Sequence, residues 1–531
     1  MNVLQILRFF LPGENPLGFG LADAIELFVA ALGFAAILLR HRIVAGAAWL
    51  SARPRLAMSV LAVLPGGLRL ALLRHHPVPI PTVPDDFSFL LLADTLAHFR
   101  LANPVHPMHR FFESLFILQE PSYSSIYPPG QGIALAVFGH PWAGVLVSAG
   151  VFAALCFWML RAWVAPVWAL CGGLIAVATF GPLSKWTNDY WGGFVSAIAG
   201  CLVFGALPRL RKSGSVRDAL MLGAGLGIQL LTRPLESLLL AAVVLVTLPR
   251  RPGLIALPVA AACLLTLAHN HAVTGQWMTL PYSVSRAQYG VPANFTFQAN
   301  AKPARPLTPE QQLAYEVESA AHDQPLSWEE RLRSLRFFLL PPLFAAVPFC
   351  LRRRWLWVFG VIAFFFAGTA FYPYFYPHYI AAVTCLFLLL AVAGLEHLNA
   401  LRSEAAMVLL IFCGAHFTFW YGLHLAGNPA IFTATSAYEG TDYINYGDSE
   451  GRLAIARQLD AEPGNHLVFV RYSVAHTVRE WVHNAADIDR SRIVWALDLG
   501  EEEGRQLRNY YPARKAWLLQ PDVRPPRLTP Y

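Results

Sequence analysis

The stretch "PIPTVPDDFSFLLLADTLAHFR" (79–100) places two adjacent carboxylates, Asp85 and Asp86, after a proline-broken linker and at the head of an apolar, amphipathic segment. The run 56–74 just before it is long and apolar. Paired acids stand out there because the rest of the chain avoids charge. Of 531 residues, 56% are hydrophobic and 14% charged, with a mean hydropathy of +0.45. A water-soluble domain carries about 25% charged residues. Several runs approach the ~20 apolar residues that cross a bilayer as a helix. The composition points to a polytopic membrane protein. The net charge of +7 does not indicate nucleic acid, since the placement of basic residues matters more than their sum.

Outward from this stretch, about twelve spans are expected. Their cores lie near 21–39, 56–74, 142–160, 166–182, 192–208, 219–232, 235–248, 254–270, 336–350, 355–371, 379–395 and 405–424. The pair 219–232 and 235–248 reads equally as a broken or re-entrant hairpin. Basic residues fall in alternate loops: Arg40, Arg42, Arg53 and Arg55; Arg161; Arg209, Arg211, Lys212 and Arg217; Arg250 and Arg251; Arg352, Arg353 and Arg354; Arg402. The positive-inside rule makes these loops cytoplasmic. The loops 75–141, 183–191, 232–236, 271–335 and 372–378, and the tail from about 426, are then outside, with the N-terminus. "MNVLQILRFFLPG" (1–13) shows no clear cleavage site and reads as an interfacial helix. All seven cysteines lie in expected spans, so no disulfide framework is expected. Walker A, zinc-spaced Cys/His and dinucleotide glycine motifs are absent from the sequence.

The tail, 426–531, is polar. "HLVFVRY" (466–472), "RIVWALDL" (492–499) and "KAWLL" (515–519) read as strands and "EEEGRQLRNYY" (501–511) as a helix, which predicts a small extramembrane α/β domain. Tyr438, Tyr443 and Tyr446 read first as linker aromatics, with stacking on sugars as the sharper alternative.

The outer loops hold the candidate chemistry. The first carries Asp85, Asp86, Asp94, His98, His106, His109, Arg110 and Glu113, and ends in "SSIYPPGQG" (124–132), where Tyr127-Pro128-Pro129-Gly130 forms a rigid turn. Others are "KWTNDYWGG" (185–193), "TRPLE" (232–236) and "YPYFYPHY" (372–379). Each has a plain reading. Asp85 and Asp86 suit a helix start. Arg233 and Glu236 suit a local ion pair, and Trp186, Tyr190 and Trp191 suit an interfacial aromatic belt. Ionisable residues beside a membrane tend to be functional, and here acids and bases gather on one side.

Asp85-Asp86-Phe87-Ser88-Phe89, followed by "LLLADTLAHFRLANP", resembles the acidic-pair motif of the GT-C superfamily of membrane glycosyltransferases. The likeness is to its protein O-mannosyltransferase and lipid A aminoarabinose transferase branch. Tyr127-Pro128-Pro129 matches the Pro-Pro turn before the next span, and "HYIAAVTCLFLLL" (378–390) resembles a late span of that branch. The second acid is Asp rather than Glu, and the late basic residue is His378 rather than Arg. The chain also resembles a bacterial group of transferases with "NDYWGG" and "TRP" motifs.

This resemblance implies an all-α, GT-C-like membrane domain over 1–425, with outer loops 75–141 and 271–335, and a periplasmic α/β domain over 426–531. It implies a multi-pass protein of the bacterial cytoplasmic membrane with its site on the outer side. The donor would be a polyprenyl-phosphate-linked sugar and the acceptor a glycan, lipid or protein, with inversion at the sugar. Asp85 would be the base and Asp86 its orienting partner. Lys185, Arg233, His378 and, more weakly, Arg110 would meet the phosphate, with Asp189, Glu236 and Tyr127 completing the substrate site. No cofactor is required; the acids would admit a divalent metal. The alternative is a lipid-linked saccharide flippase without catalysis. It would carry ionisable groups through several spans, whereas these spans hold few besides Arg69.

Overall fold

The computed structural model describes residues 21–247, 250–427, 451–474, 476 and 479–531. The expected interfacial helix at 1–13 and the three linker tyrosines lie outside these residues.

Proline punctuates the chain. Pro54, Pro84, Pro129, Pro141, Pro166, Pro234, Pro252, Pro281 and Pro309 each stand in the first turn of a helix. The missing N–H costs nothing there and φ is already set. Among the described residues, five helices are long and apolar enough to cross a membrane: Pro141–Leu160, Phe194–Ser213, Pro252–Thr274, Pro377–Leu401 and Ser403–Ala426. A further pair, Leu27–Ile37 and Arg40–Ser51, qualifies together but is bent by 81°. Pro54–Ala71, Pro166–Phe180, Val216–Thr232, Pro234–Val246 and Leu356–Gly368 are shorter helices.

The expectation of about twelve full spans is therefore not met helix by helix. The clearest difference is at 336–350, where the chain forms 3-10 turns at Ser334–Phe338, Pro341–Ala345 and Val347–Cys350. Pro341, Pro342 and Pro348 remove the amides a continuous helix would need. Arg40 and Arg42, expected in a loop, open the helix Arg40–Ser51.

Pro377–Leu401 lies at the centre of the bundle. Of its apolar stretch 94% is buried, against 17% for Pro252–Thr274 at the periphery. Close packing depends on small residues. A Cβ on Gly200 would lie 1.7 Å from the Ala382 carbonyl oxygen, and one on Gly150 would lie 2.0 Å from that of Ala62. Backbone contact of this kind leaves no room for a methyl group.

The C-terminal region forms a four-stranded sheet in the order Ile493–Leu497, His466–Val470, Lys515–Gln520, Arg527–Pro530. The first three strands are parallel and the last antiparallel. His466–Val470 is buried along its whole length, as a central parallel strand should be. Its alternating residues serve two cores. Val468 and Val470 pack with Trp481 and Leu519, while Leu467 and Phe469 share a core with Leu91, Phe111, Phe112 and Ile117 of the segment 75–141. The sheet is thus built onto the segment that follows the acidic pair.

Gly200→Ala tests the packing. Overpacking costs about 1–3 kcal/mol, so the purified variant should melt at lower temperature than the parent. A melting temperature equal to the parent's would contradict the close helix contact.

Candidate active site

Pro84–Ala97 begins with the acidic pair in its first turn, but its N-cap is Val83, which offers no side-chain cap. The two carboxylates have other partners. Asp86 Oδ2 accepts from the Thr82 amide (3.2 Å), and Oδ1 accepts from the Tyr190 amide (3.2 Å), 104 residues away. Asp85 Oδ1 accepts from the Tyr127 hydroxyl. Tyr127 is held in turn by stacking on Phe89 at 4.2 Å and by an edge contact with Tyr282 at 5.6 Å.

The second segment is a 3-10 turn, Lys185–Thr187, capped by the Ser184 side chain. Buried Trp186 anchors it, and Lys185 Nζ lies 5.1 Å from the Trp191 ring centroid. Trp191 meets His378 edge-on at 4.8 Å. His378 stacks on Tyr376 at 5.5 Å and meets Tyr379 at 4.9 Å. Tyr379 carries the Arg233 guanidinium 4.9 Å above its ring. Arg233 is extended because Pro234 ends the preceding helix, and its Nη1 donates to Glu236 Oε1 (3.2 Å). A continuous set of contacts therefore runs from Lys185 to Arg233 across separate segments.

Asp85 faces this set electrostatically. Burial pushes its carboxyl above the usual range, while the Tyr127 hydroxyl, Lys185 and Arg233 work against the shift. The residue is half-buried, and the protein around its carboxyl is dense enough for desolvation to dominate. Burial likewise raises Asp86 to about 6; Asp85 adds to the rise, and the Thr82 and Tyr190 amides and Lys185 oppose it. Asp189 is only 7% exposed, and neither carboxylate oxygen makes a hydrogen bond among the described residues, although the Trp191 amide lies close enough to favour the anion. Burial holds it well above the usual carboxylate range, with Lys185 opposing and Asp86 adding.

The structure thus brings Asp85, Asp86, Tyr127, Lys185, Asp189, Arg233, Glu236 and His378 into one neighbourhood. Arg110 stands apart, with its side chain 67% exposed and paired to Glu503 at 3.2 Å. Asp94 and His106 also turn to the C-terminal sheet unit: Asp94 Oδ2 accepts from the Ala486 amide (2.6 Å), and His106 Nε2 meets Asp489 Oδ1 (3.1 Å). Among the described residues, no group of three or more His, Cys, Asp or Glu side chains is arranged to hold a metal ion.

Sequence reasoning missed the residues contributed by 271–335. Glu318, on Pro309–Asp323, accepts from the Ala293 amide (2.9 Å). Burial pushes its carboxyl up to about 7, with Asp85 adding to the rise and Arg286 opposing it. Glu318 carries no sequence signal that separates it from Glu310 and Glu316 on the same polar helix.

Tyr127→Phe removes a donor to ionised Asp85. The carboxyl should then titrate about one unit higher, as expected for a lost hydrogen bond to a charged group. Infrared titration of isotope-labelled aspartates reads this midpoint, and an unmoved midpoint would show that the hydroxyl does not set it.

No family model matches the chain. No curated protein matches it either. Among solved structures it is similar to ArnT from Cupriavidus metallidurans in the apo state, with 13% identity, a TM-score of 0.48, and coverage of 90% of this chain and 93% of that one. It is similar to the apo oligosaccharyltransferase of Archaeoglobus fulgidus, with 13% identity, a TM-score of 0.43, and coverage of 79% of this chain and 62% of that one. It is also similar to AglB of the same organism in complex with an inhibitory peptide and a dolichol-phosphate, with 13% identity, a TM-score of 0.40, and coverage of 88% of this chain and 69% of that one.

Proposed function

We propose that this chain is a membrane glycosyltransferase. It takes a sugar from a polyprenyl-phosphate donor and passes it to an acceptor hydroxyl at the outer face of the cytoplasmic membrane, inverting the anomeric carbon. The observation that carries this reading is one arrangement: Asp85, oriented by the Tyr127 hydroxyl, is opposed by the positive charges of Lys185 and Arg233.

In this reading the acceptor O–H gives its proton to the Asp85 carboxylate. The acceptor oxygen forms the new bond to the anomeric carbon as the bond from that carbon to the phosphate oxygen breaks. The leaving polyprenyl phosphate carries the negative charge that Lys185 and Arg233 neutralise. A raised carboxyl suits a base working near neutral pH. Asp86, engaged by two amides, orients the turn. Asp189, whose oxygens lack hydrogen-bond partners among the described residues, is suited to accept from sugar hydroxyls. The span-bearing part, 1–425, holds the site, and 426–531 forms a periplasmic unit beside it. The alternation of basic loops supports that sidedness.

Asp85→Asn keeps the shape and removes the proton acceptor. Transfer from undecaprenyl-phosphate monosaccharides should fall by about 10²-fold or more, with the folded, membrane-inserted amount near that of the parent. Asp86→Asn should cost less. Full activity in the Asp85→Asn protein would remove it as the base.

Arg233→Lys keeps charge but loses the planar fork that grips a phosphate through two N–H groups. Binding of undecaprenyl phosphate should weaken in this variant and more so in Arg233→Ala. Unchanged binding in Arg233→Ala would reject the assignment.

A further inference from the structure

Arg69 lies in the last turn of Pro54–Ala71 and is 0% exposed. A guanidinium taken out of water persists only where its N–H groups find acceptors. Here Nε donates to Asn188 Oδ1 (2.8 Å), Nη1 to the His76 carbonyl (3.0 Å) and Nη2 to the Pro77 carbonyl (2.9 Å). The guanidinium lies 4.9 Å from the Trp142 ring, whose Nε1 donates to the Thr187 carbonyl (3.0 Å). Asn188 in turn donates to the Pro182 and Ser184 carbonyls (3.0 and 2.8 Å).

These acceptors belong to two segments. His76 and Pro77 open the linker that leads to Asp85 and Asp86. Asn188 lies between Lys185 and Asp189. Tyr190 closes the same seam further along: its hydroxyl donates to the Pro79 carbonyl (2.8 Å) and its amide to Asp86. The sequence marks Arg69 only as a charge out of place in an apolar run.

We propose that Arg69 is a positioning residue: its guanidinium locks the linker before the acidic pair to the segment 185–191, and so sets Asp85 and Asp86 against Lys185 and Asp189. None of its hydrogen bonds reaches a reacting group. The role is specific to arginine, because three acceptors in fixed directions suit a rigid planar fork and not a single ammonium. The proposal rests on the transferase reading above.

Around the acidic pair stand the Tyr127 hydroxyl, the Thr82 and Tyr190 amides, Lys185, Asp189, Arg233 and Glu318. If the seam loosens, the Tyr190 amide and the Lys185 charge are withdrawn. Both favour ionised carboxylates, so the acids should then titrate higher. A residue that merely supports folding would change the yield of protein but not this titration.

The test uses the full chain in lipid nanodiscs as Arg69→Lys and as Asn188→Ala, normalised to folded, monodisperse protein. Infrared titration of isotope-labelled aspartates, without substrate, reads the acids directly. Release of undecaprenyl phosphate from a panel of undecaprenyl-phosphate monosaccharides, followed against pH, reads turnover. The midpoints and the acid limb of the rate profile should both move up by about half a unit or more. Turnover should fall towards the ~10²-fold that a displacement of ~1 Å can cost. Midpoints and acid limb at the parent's positions would overturn the proposal, and so would failure of both variants to fold, which would make Arg69 a folding element. If the parent releases nothing from any donor while the midpoints still shift, the transferase reading falls and the clamp stands.

Discussion

A carboxylate removed from water must be met by donors, and one end of this helical bundle is arranged around meeting Asp86. Leaving such a group unpaired costs several kcal/mol, while a hydrogen bond to a charged group returns about 1.5–3 kcal/mol. Asp86 takes one amide from its own linker and one from a segment 104 residues away. This constraint separates two neighbouring side chains of identical chemistry. With Asp86 fully engaged by backbone, Asp85 is the one left to turn towards Tyr127 and the opposing cations.

The arrangement around them is made mostly of helix ends and breaks rather than helix faces. Pro84 starts the helix that bears the acids, and Pro234 stops one helix and starts another with half-buried Arg233 between them. His378 stands at the head of Pro377–Leu401, the most buried of the five long apolar helices among the described residues, so its ring position is tied to the core itself. The contacts from Lys185 through Trp191, His378 and Tyr379 to Arg233 are made between such breaks.

How much was legible from sequence follows from which interactions are local. Apolar runs mark most helices, and short apolar runs around an acidic helix mark the C-terminal sheet, because both signals arise within a few residues. The 3-10 turns at 334–350 were misread as a span because hydropathy is blind to the amides that Pro341, Pro342 and Pro348 lack. Asp85, Lys185 and Arg233 stood out as charges beside apolar runs. Glu318 did not, because its place near Asp85 depends on a long-range fold that lets the two carboxyls influence each other. Arg110 differs for the opposite reason: it neighbours the acids in sequence, yet it pairs with half-buried Glu503 of the sheet unit.

The sheet unit also bears on how the protein comes into being. Phe87, next to Asp86, is stacked on His483 at 4.4 Å, and the Arg452 guanidinium lies 5.0 Å from the same ring. Asp94, on the same helix, is bonded to the Ala486 amide. The helix bearing the acids, Pro84–Ala97, is made before its supporting wall, which lies more than 350 residues further along the chain. A nascent protein with every membrane helix inserted would still present an unsupported acidic helix. Support of the acidic helix is therefore coupled to synthesis of residues 452–486, and a ribosome that stops after Ser403–Ala426 releases a product lacking it.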